Sequence, residues 1–328
     1  MISILSLPVN TLIVENRISQ LNPKSKIYIA GHNGMVGSAI RRKLTSNGYV
    51  NLLGFDSNEV DLTNRDATFE IFDRHKPDVV IMAAAKVGGI KANQNSPVEF
   101  LNVNLRIQTN IFEASHQNEV DRLLFLGSSC IYPKRARQPI NENELLTGKL
   151  EPTNEAYAIA KISGILGVQS YRQEYGRNWI SAMPTNLYGP YDNYDLETSH
   201  VFPALIKKIV DAKKNNSTEV IIWGNGKAKR EFLHVDDLAN ACLFLLENYN
   251  EASPVNVGYG TDISIRNLAR LIASNVGYSG KFVFDTSKPN GMRRKLLDSG
   301  LIHSLGWLPE IKLEEGIRAT VQEYQKSV

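Results

Sequence analysis

From Lys26 onward, short runs of β-branched and aromatic residues alternate with longer stretches whose apolar positions recur every three or four residues. Unbroken apolar runs suit strands buried on both faces, and the helical period suits segments that cover those faces. Strands are predicted over Lys26–Ala30, Asn51–Phe55, Val79–Ala83, Arg122–Leu126 and Trp179–Met183. Helices are predicted over Val36–Ser46, Arg65–His75, Glu99–Gln117 and Ala156–Tyr175. Asn47-Gly48 and Tyr175-Gly176 act as stop signals, because glycine takes the left-handed backbone that ends a helix. Alternation of this kind is the signature of an α/β fold, a doubly wound parallel sheet with helices on both faces.

Beyond Pro184 the rhythm shortens. Pro190, Pro203, Asn215-Asn216, Gly224 and Gly226 punctuate it, and Glu219–Trp223 reads as a strand among loops. His234–Asn248 reads as a helix returning to the first lobe, while Ile263–Val276 and the tail from Phe282 belong to the second. A nucleotide-binding lobe is therefore expected over 26–183 with about 233–250, and a smaller C-terminal α/β substrate lobe over 184–232 and 251–328. Met1–Ser25 is mildly apolar but lacks the basic start, continuous apolar core and cleavage site of a secretory leader, so it reads as an N-terminal extension.

Composition narrows the function classes. The 328 residues carry 37 basic and 34 acidic side chains, interspersed, for a net +3, which gives no bulk attraction to nucleic acid. No run approaches the ~18 apolar residues of a membrane span. The two cysteines, Cys130 and Cys242, stand far apart without metal-ligand spacing, so neither a disulfide framework nor a metal site is expected, and a reducing cytoplasm fits.

Three motifs carry chemistry. Gly31-His32-Asn33-Gly34-Met35-Val36-Gly37 follows the first strand and opens the first helix, where glycines permit a tight turn and the helix N-terminus offers N–H groups to a pyrophosphate. Tyr157 and Lys161 lie four apart and so share a helix face; an ammonium beside a phenol is expected to lower its pKa and ready it for proton exchange. About thirty residues earlier a strand ends in Gly127-Ser128-Ser129-Cys130, in the right order to bring the Ser128 hydroxyl beside Tyr157, with Ser129 left to packing or turn formation.

Together, the glycine turn, the strand-end serine and Y-x-x-x-K resemble the extended short-chain dehydrogenase/reductase superfamily, which implies a Rossmann-like cofactor domain with a C-terminal substrate lobe. Longer stretches, Ile29–Gly37, Ala83–Gly89, Leu124–Pro133 (L-F-L-G-S-S-C-I-Y-P), Glu151–Lys161, Met183–Pro190 (M-P-T-N-L-Y-G-P) and Arg230–Asp237, resemble one branch of it: the GDP-4-keto-6-deoxy-mannose 3,5-epimerase-4-reductases, or GDP-L-fucose synthases. The resemblance spans Lys26 to the end. It implies a single site that epimerises C3 and C5 of a 4-keto sugar and then reduces C4. Tyr157 is then the reductive acid, Lys161 its support and a ligand of the nicotinamide ribose, and Ser128 the partner of the C4 oxygen. Cys130 and His200 match the epimerisation acid/base pair, with the thiol expected as a base of lowered pKa. Cofactor contacts are implied for the glycine turn, Ser57, Asp61, Leu62, Leu126, Gly127, Ser128, Lys161, Pro184, Thr185, Asn186, Leu187 and His200. Asn186, Lys208, Trp223, Arg230, Asn290 and Lys295 are implied for the GDP-sugar. Asn290 departs from the family's S-K-P-D-G segment, replacing its acid. A homodimer through the helices of Glu99–Gln117 and Ala156–Tyr175 is also implied.

The family cofactor is NADPH, whose 2′-phosphate calls for a cation near the glycine turn or after the second strand. Those places hold Asn33 and Phe55-Asp56-Ser57-Asn58, and Asp56 could accept from the ribose of NADH instead, leaving Arg41 and Arg42 as the nearby cations. NADP is expected with NAD possible, and with weak discrimination between them. Two rivals stay open. A nucleotide-sugar 4-epimerase or 4,6-dehydratase shares the cofactor motifs, although a dehydratase calls for an Asp-Glu pair where this chain has Cys130-Ile131. A non-catalytic NAD(P)-binding scaffold would have no need of Ser128, Cys130, Tyr157, Lys161 and His200 together.

Overall fold

The computed structural model describes residues 21–288 and 290–328. Of the N-terminal extension, residues 1–20 lie outside the described residues. Strands β1 (Ile27–Ala30), β2 (Leu52–Leu53), β3 (Val79–Met82), β4 (Arg122–Leu126) and β5 (Asn178–Pro184) alternate with helices α1 (Met35–Ser46), α2 (Arg65–His75), α3 (Ile90–Asn95), α4 (Pro97–Gln117) and α5 (Glu155–Tyr175). There follow β6 (Asn186–Tyr188), α6 (Val201–Lys214), β7 (Glu219–Trp223), β8 (Lys229–His234), α7 (Val235–Asn248), β9 (Val255–Val257), β10 (Asp262–Ser264), α8 (Ile265–Val276), β11 (Lys281–Asp285), β12 (Arg294–Lys295), α9 (Gly300–Ser304) and α10 (Leu313–Ser327).

Six strands form one parallel sheet in the order β2-β1-β3-β4-β5-β9. Strand alternation sends successive side chains to opposite faces. Ile27, Ile29, Val79, Ile81, Leu124 and Ile180 join a core with Ile40 and Leu44 of α1 and Leu238 and Leu245 of α7. Their neighbours Tyr28, Val80, Phe125 and Trp179 join a second core with Phe72 of α2, Ile111 of α4 and Ile162 of α5. Each fully buried side chain of this size contributes roughly 1.5–3 kcal/mol, so both helical layers are held independently of capping. A third core lies between α6, α8 and α10 and the smaller sheets, where β8 pairs β10, β12 and β6 while β7 pairs β11.

Three features depart from the sequence expectation. Pro203 does not break the chain: it is the third residue of the 14-residue α6, in the first turn, where its missing N–H has no intrahelical partner to lose. Strand β8 forms although Arg230 and Glu231 interrupt its apolar run. Finally, β9 adds to the edge of β5, so residues 255–257 complete the large sheet rather than the C-terminal lobe. The start of β4 is tied to this returning segment: buried Arg122 donates to the carbonyls of Asn178, Leu246 and Tyr249 at 2.8–2.9 Å.

Candidate active site

In this topology the strand order reverses between β1 and β3, and ligands of open α/β sheets bind at such a point, beyond the carboxyl ends of the strands. The glycine turn sits there. Gly31 has φ +80°, and a β-carbon on it would lie 2.8 Å from the Ala84 backbone; one on Gly37 would lie 2.1 Å from the Gly31 carbonyl oxygen. Gly34, the N-cap of α1, leaves space instead, with nothing nearer than 3.5 Å to an added β-carbon. The turn is thus closed on its inner side and bare at the helix start, where α1 offers N–H groups and the positive end of its dipole. This cradle fits a dinucleotide pyrophosphate. Of the turn's other members, Met35 and Val36 pack against the first core, the His32 ring packs on Gly54, and the Asn33 amide donates to Asp56 just past β2.

Ser57 is exposed beside them. Asp61 accepts from the Thr63 backbone and hydroxyl at 2.9 and 2.8 Å, and those hydrogen bonds hold its carboxyl below the ordinary value. Leu62 packs against the second core, and its carbonyl accepts from Asn110.

At the end of β4 the Leu126 carbonyl accepts from the Lys161 ammonium at 2.8 Å, while Gly127 donates to the Ala182 carbonyl and Ser128 caps the short turn of Ser129–Ile131. Lys161 is buried at 4% exposure, and its Nζ lies 5.9 Å from the Tyr157 ring centroid. Burial pulls Lys161 down to about 8. The expected lowering of Tyr157 is reversed: burial of the phenol, with the Cys130 charge added, holds it above the ordinary tyrosine value, and the hydrogen bond to Ser128 only partly opposes this. The ammonium is engaged by Leu126 rather than by the phenol.

Cys130, 7% exposed, is also raised rather than lowered, because burial outweighs Ser128, Lys295 and Lys161. His200 is the N-cap residue of α6. Solvent reaches it while protein crowds round it; desolvation and then the Lys295 charge hold its imidazole down at about 4. Lys295, on β12, is itself drawn down to about 8 by burial, with the Cys130 charge opposing. Its charge bears on both Cys130 and His200, so the three side chains lie within electrostatic reach of one another.

Two supports escaped the sequence reading. Buried Asn104 clamps the Lys86 backbone from both sides at 3.0 Å, and Gly89 donates to the Thr198 carbonyl at 2.8 Å, so the segment after β3 is fixed to the loop that carries His200. A β-carbon on Gly89 would come within 2.4 Å of the Ser199 oxygen, which accounts for the glycine. Glu231, wholly buried, accepts from the Gly260 and Leu297 backbone and so anchors the strand of Lys295. A lone acid in the apolar run of β8 was the available signal.

The outer wall holds the remaining residues. Pro184 ends β5, Leu187 packs on the first core, and Thr185 and Asn186 donate side-chain hydrogen bonds to the Glu231 carbonyl at 3.4 and 2.8 Å. Trp223 is 42% exposed, and the ammonium groups of Lys208 and Lys288 each lie 5.7 Å from its ring. Lys288 was not anticipated as a partner. Arg230 donates to the Met292 carbonyl at 2.6 Å, and burial lowers it to about 10. The Asn290 Oδ1 accepts from the Asn225 backbone at 2.8 Å and packs close to Gly224.

Residues 27–258 match the profile of the NAD dependent epimerase/dehydratase family. The chain belongs to that family. Within it, the chain is similar to GDP-L-fucose synthase 1 of Arabidopsis thaliana, with 52% identity over 96% of this chain and 98% of that protein. It is also 51% identical to GDP-L-fucose synthase of Escherichia coli strain K12, over 91% and 96% of the two chains. Among solved structures of this epimerase/dehydratase type, a GDP-mannoheptose C4 reductase from Campylobacter jejuni with NADP bound superposes with a TM-score of 0.85 at 35% identity, over 93% of this chain and 99% of that one. A nicotinamide cofactor is therefore common ground. Among the described residues no helix is long and apolar enough to cross a membrane, and both cysteines are free and buried.

Proposed function

We propose that this chain acts as a GDP-L-fucose synthase: it epimerises GDP-4-keto-6-deoxy-D-mannose at C3 and C5 and then reduces C4. The observation that supports the reading is the grouping of Ser128, Cys130, Tyr157 and Lys161 about the end of β4, with the Lys295 charge felt by both Cys130 and His200, in a chain about half identical to enzymes of that name.

A bound reduced nicotinamide supplies the hydride, and NADP is the form found in the Campylobacter relative. Ser128 holds the C4 oxygen and the Tyr157 phenol delivers its proton, a task suited to a group that burial keeps protonated. Lys161, fixed by Leu126, is left to hold the ribose beside the phenol. For epimerisation the C4 ketone acidifies both neighbouring carbons, and Cys130 and His200 move the protons. A neutral thiol with a neutral imidazole holds as many protons as a thiolate with an imidazolium, so one internal transfer produces the base and the acid together. Lys208, Lys288 and Arg230 attract the diphosphate, Trp223 offers a stacking face, and Asn290 shapes the loop beneath them.

The cofactor-binding lobe is proposed as 26–183 with 233–257, and the remainder from 184 as the substrate lobe. A homodimer through α4 and α5 is supported by Ile159 and Leu166, exposed seven residues apart on α5, beside a groove lined by Leu105, Phe112, Gly164 and Tyr171. Free buried thiols suit a reducing cytoplasm. Incubation with GDP-4-keto-6-deoxy-D-mannose and reduced dinucleotide, with the product identified by NMR, tests the whole reading. GDP-L-fucose is expected; an unreduced epimer, or no conversion, would overturn it.

A further inference from the structure

The end of β2 faces the glycine turn, and it presents negative charge. Asp56 lies three residues beyond β2; its Oδ1 accepts from the Asn33 amide, with His32 Nε2 at 3.9 Å. Glu59 folds back over the same place and accepts the Asp56 backbone N–H at 2.7 Å. Asp56 remains 53% exposed, and among the described residues its Oδ2 has no protein donor and neither carboxylate pairs with a lysine or arginine. The nearby cations stand elsewhere. Arg42 is committed to Asp236 at 2.6 Å, and Arg41 sits six residues into α1, roughly 9 Å along the helix axis from its start.

In dinucleotide sites of this construction, an acid after the second strand accepts from the adenosine ribose hydroxyls, whereas a 2′-phosphate needs a cation there. We infer that this pocket selects NADH over NADPH, with Asp56 as the discriminating carboxylate, Asn33 fixing its orientation and Oδ2 left to the ribose diol. A 2′-phosphate would bring up to two negative charges against Asp56 and Glu59, and like charges at such range repel, with no lysine or arginine paired to either carboxylate among the described residues. The inference rests on the proposed dinucleotide reading of the cleft, and it separates this chain from the relative that was solved with NADP.

Binding, rather than turnover, tests it. Wild-type protein is titrated with NADH and with NADPH by calorimetry at low ionic strength. NADH is expected to bind about ten- to a hundredfold more tightly, with the gap narrowing in high salt as the exposed carboxylates are screened. Asp56→Asn should weaken NADH and strengthen NADPH, and Asp56→Arg should invert the order, while Arg41→Ala leaves the ratio unchanged. Equal or tighter NADPH binding by the wild type overturns the inference, as does selective loss of NADPH affinity in Arg41→Ala. If neither dinucleotide binds, the dinucleotide reading of the cleft fails with it.

Discussion

Two regions that the proposed function assigns to one site, an inner and an outer end, treat their ionisable side chains differently. At the inner end Cys130, Tyr157, Lys161 and Lys295 are all pushed by burial toward their uncharged forms. Past β2, Asp61 is held in its charged form by Thr63, and on β7 Trp223 is exposed with two ammonium groups near its ring, of which burial draws Lys208 down. The difference teaches what burial is for here. Desolvation brings Lys161 and Lys295 close to the neutral range and keeps Tyr157 and Cys130 in their protonated forms, whereas recognition of a diphosphate needs charges that stay charged.

The largest effect should come from the inner end. Tyr157→Phe removes the proton for the C4 oxygen and is expected to slow reduction roughly 10²–10⁴-fold while dinucleotide affinity holds. Reduced-dinucleotide oxidation at the wild-type rate in this variant would show that another group delivers the proton.

Next, Cys130→Ser and His200→Gln are each expected to slow deuterium uptake at C3 and C5 by on the order of 10²-fold without weakening dinucleotide binding. The pH profile sharpens the point. His200 titrates at about 4 and Cys130 above its ordinary value, so the pair keeps a constant proton count between. Wild-type exchange should therefore be flat from about pH 5.5 to 8.5 and fall as the imidazole takes a second proton near pH 4, with circular dichroism confirming that the fold persists. A steep rise between pH 7 and 8 would mean that a thiolate forms independently of the histidine.

At the outer end, Trp223→Ala and Lys288→Ala should raise KM for the GDP-sugar about tenfold while kcat changes little, the pattern of lost uniform binding. A matching fall in kcat would move these residues to the reacting centre.

The smallest effect concerns stability. Lys295 has a folded pKa near 8 against 10.5 in the open chain, so below pH 8 it is charged in both states and its desolvation works against folding in full; that penalty fades as pH rises from 8 to 10.5. Lys295→Met should raise the melting temperature by about 1–3 °C at pH 7, and by less at pH 10. A lower melting temperature at pH 7 would indicate that the ammonium is well solvated.

How much of this was legible in the sequence follows the same division. Period and punctuation gave α2, β4 and β7 their full extents, because each is a local pattern. α6 was obscured by Pro203, and β8 by Glu231, whose burial becomes tolerable only when Gly260 and Leu297, distant in sequence, bring their N–H groups to it. Tyr157 and Lys161 were proposed from helical spacing, and Cys130 and His200 from resemblance. Their pKa directions were not, since burial is a property of the assembled cleft. Lys288 reaches Trp223 only because β11 lies beside β7.

The tie between Arg122 and the returning segment also bears on the order in which the protein can be made. Its guanidinium is buried against carbonyls of residues 178, 246 and 249, and the outer edge of β5 stays open until β9 arrives. A nascent chain halted after β5 would leave Arg122 in water without two of its acceptors and the outer edge of β5 exposed, an invitation to misfold. The glycine turn, Tyr157 and Lys161 all leave the ribosome early, yet the sheet that aligns them closes only after Val257 has been translated. During synthesis, the first half of this protein waits for a short strand from the second.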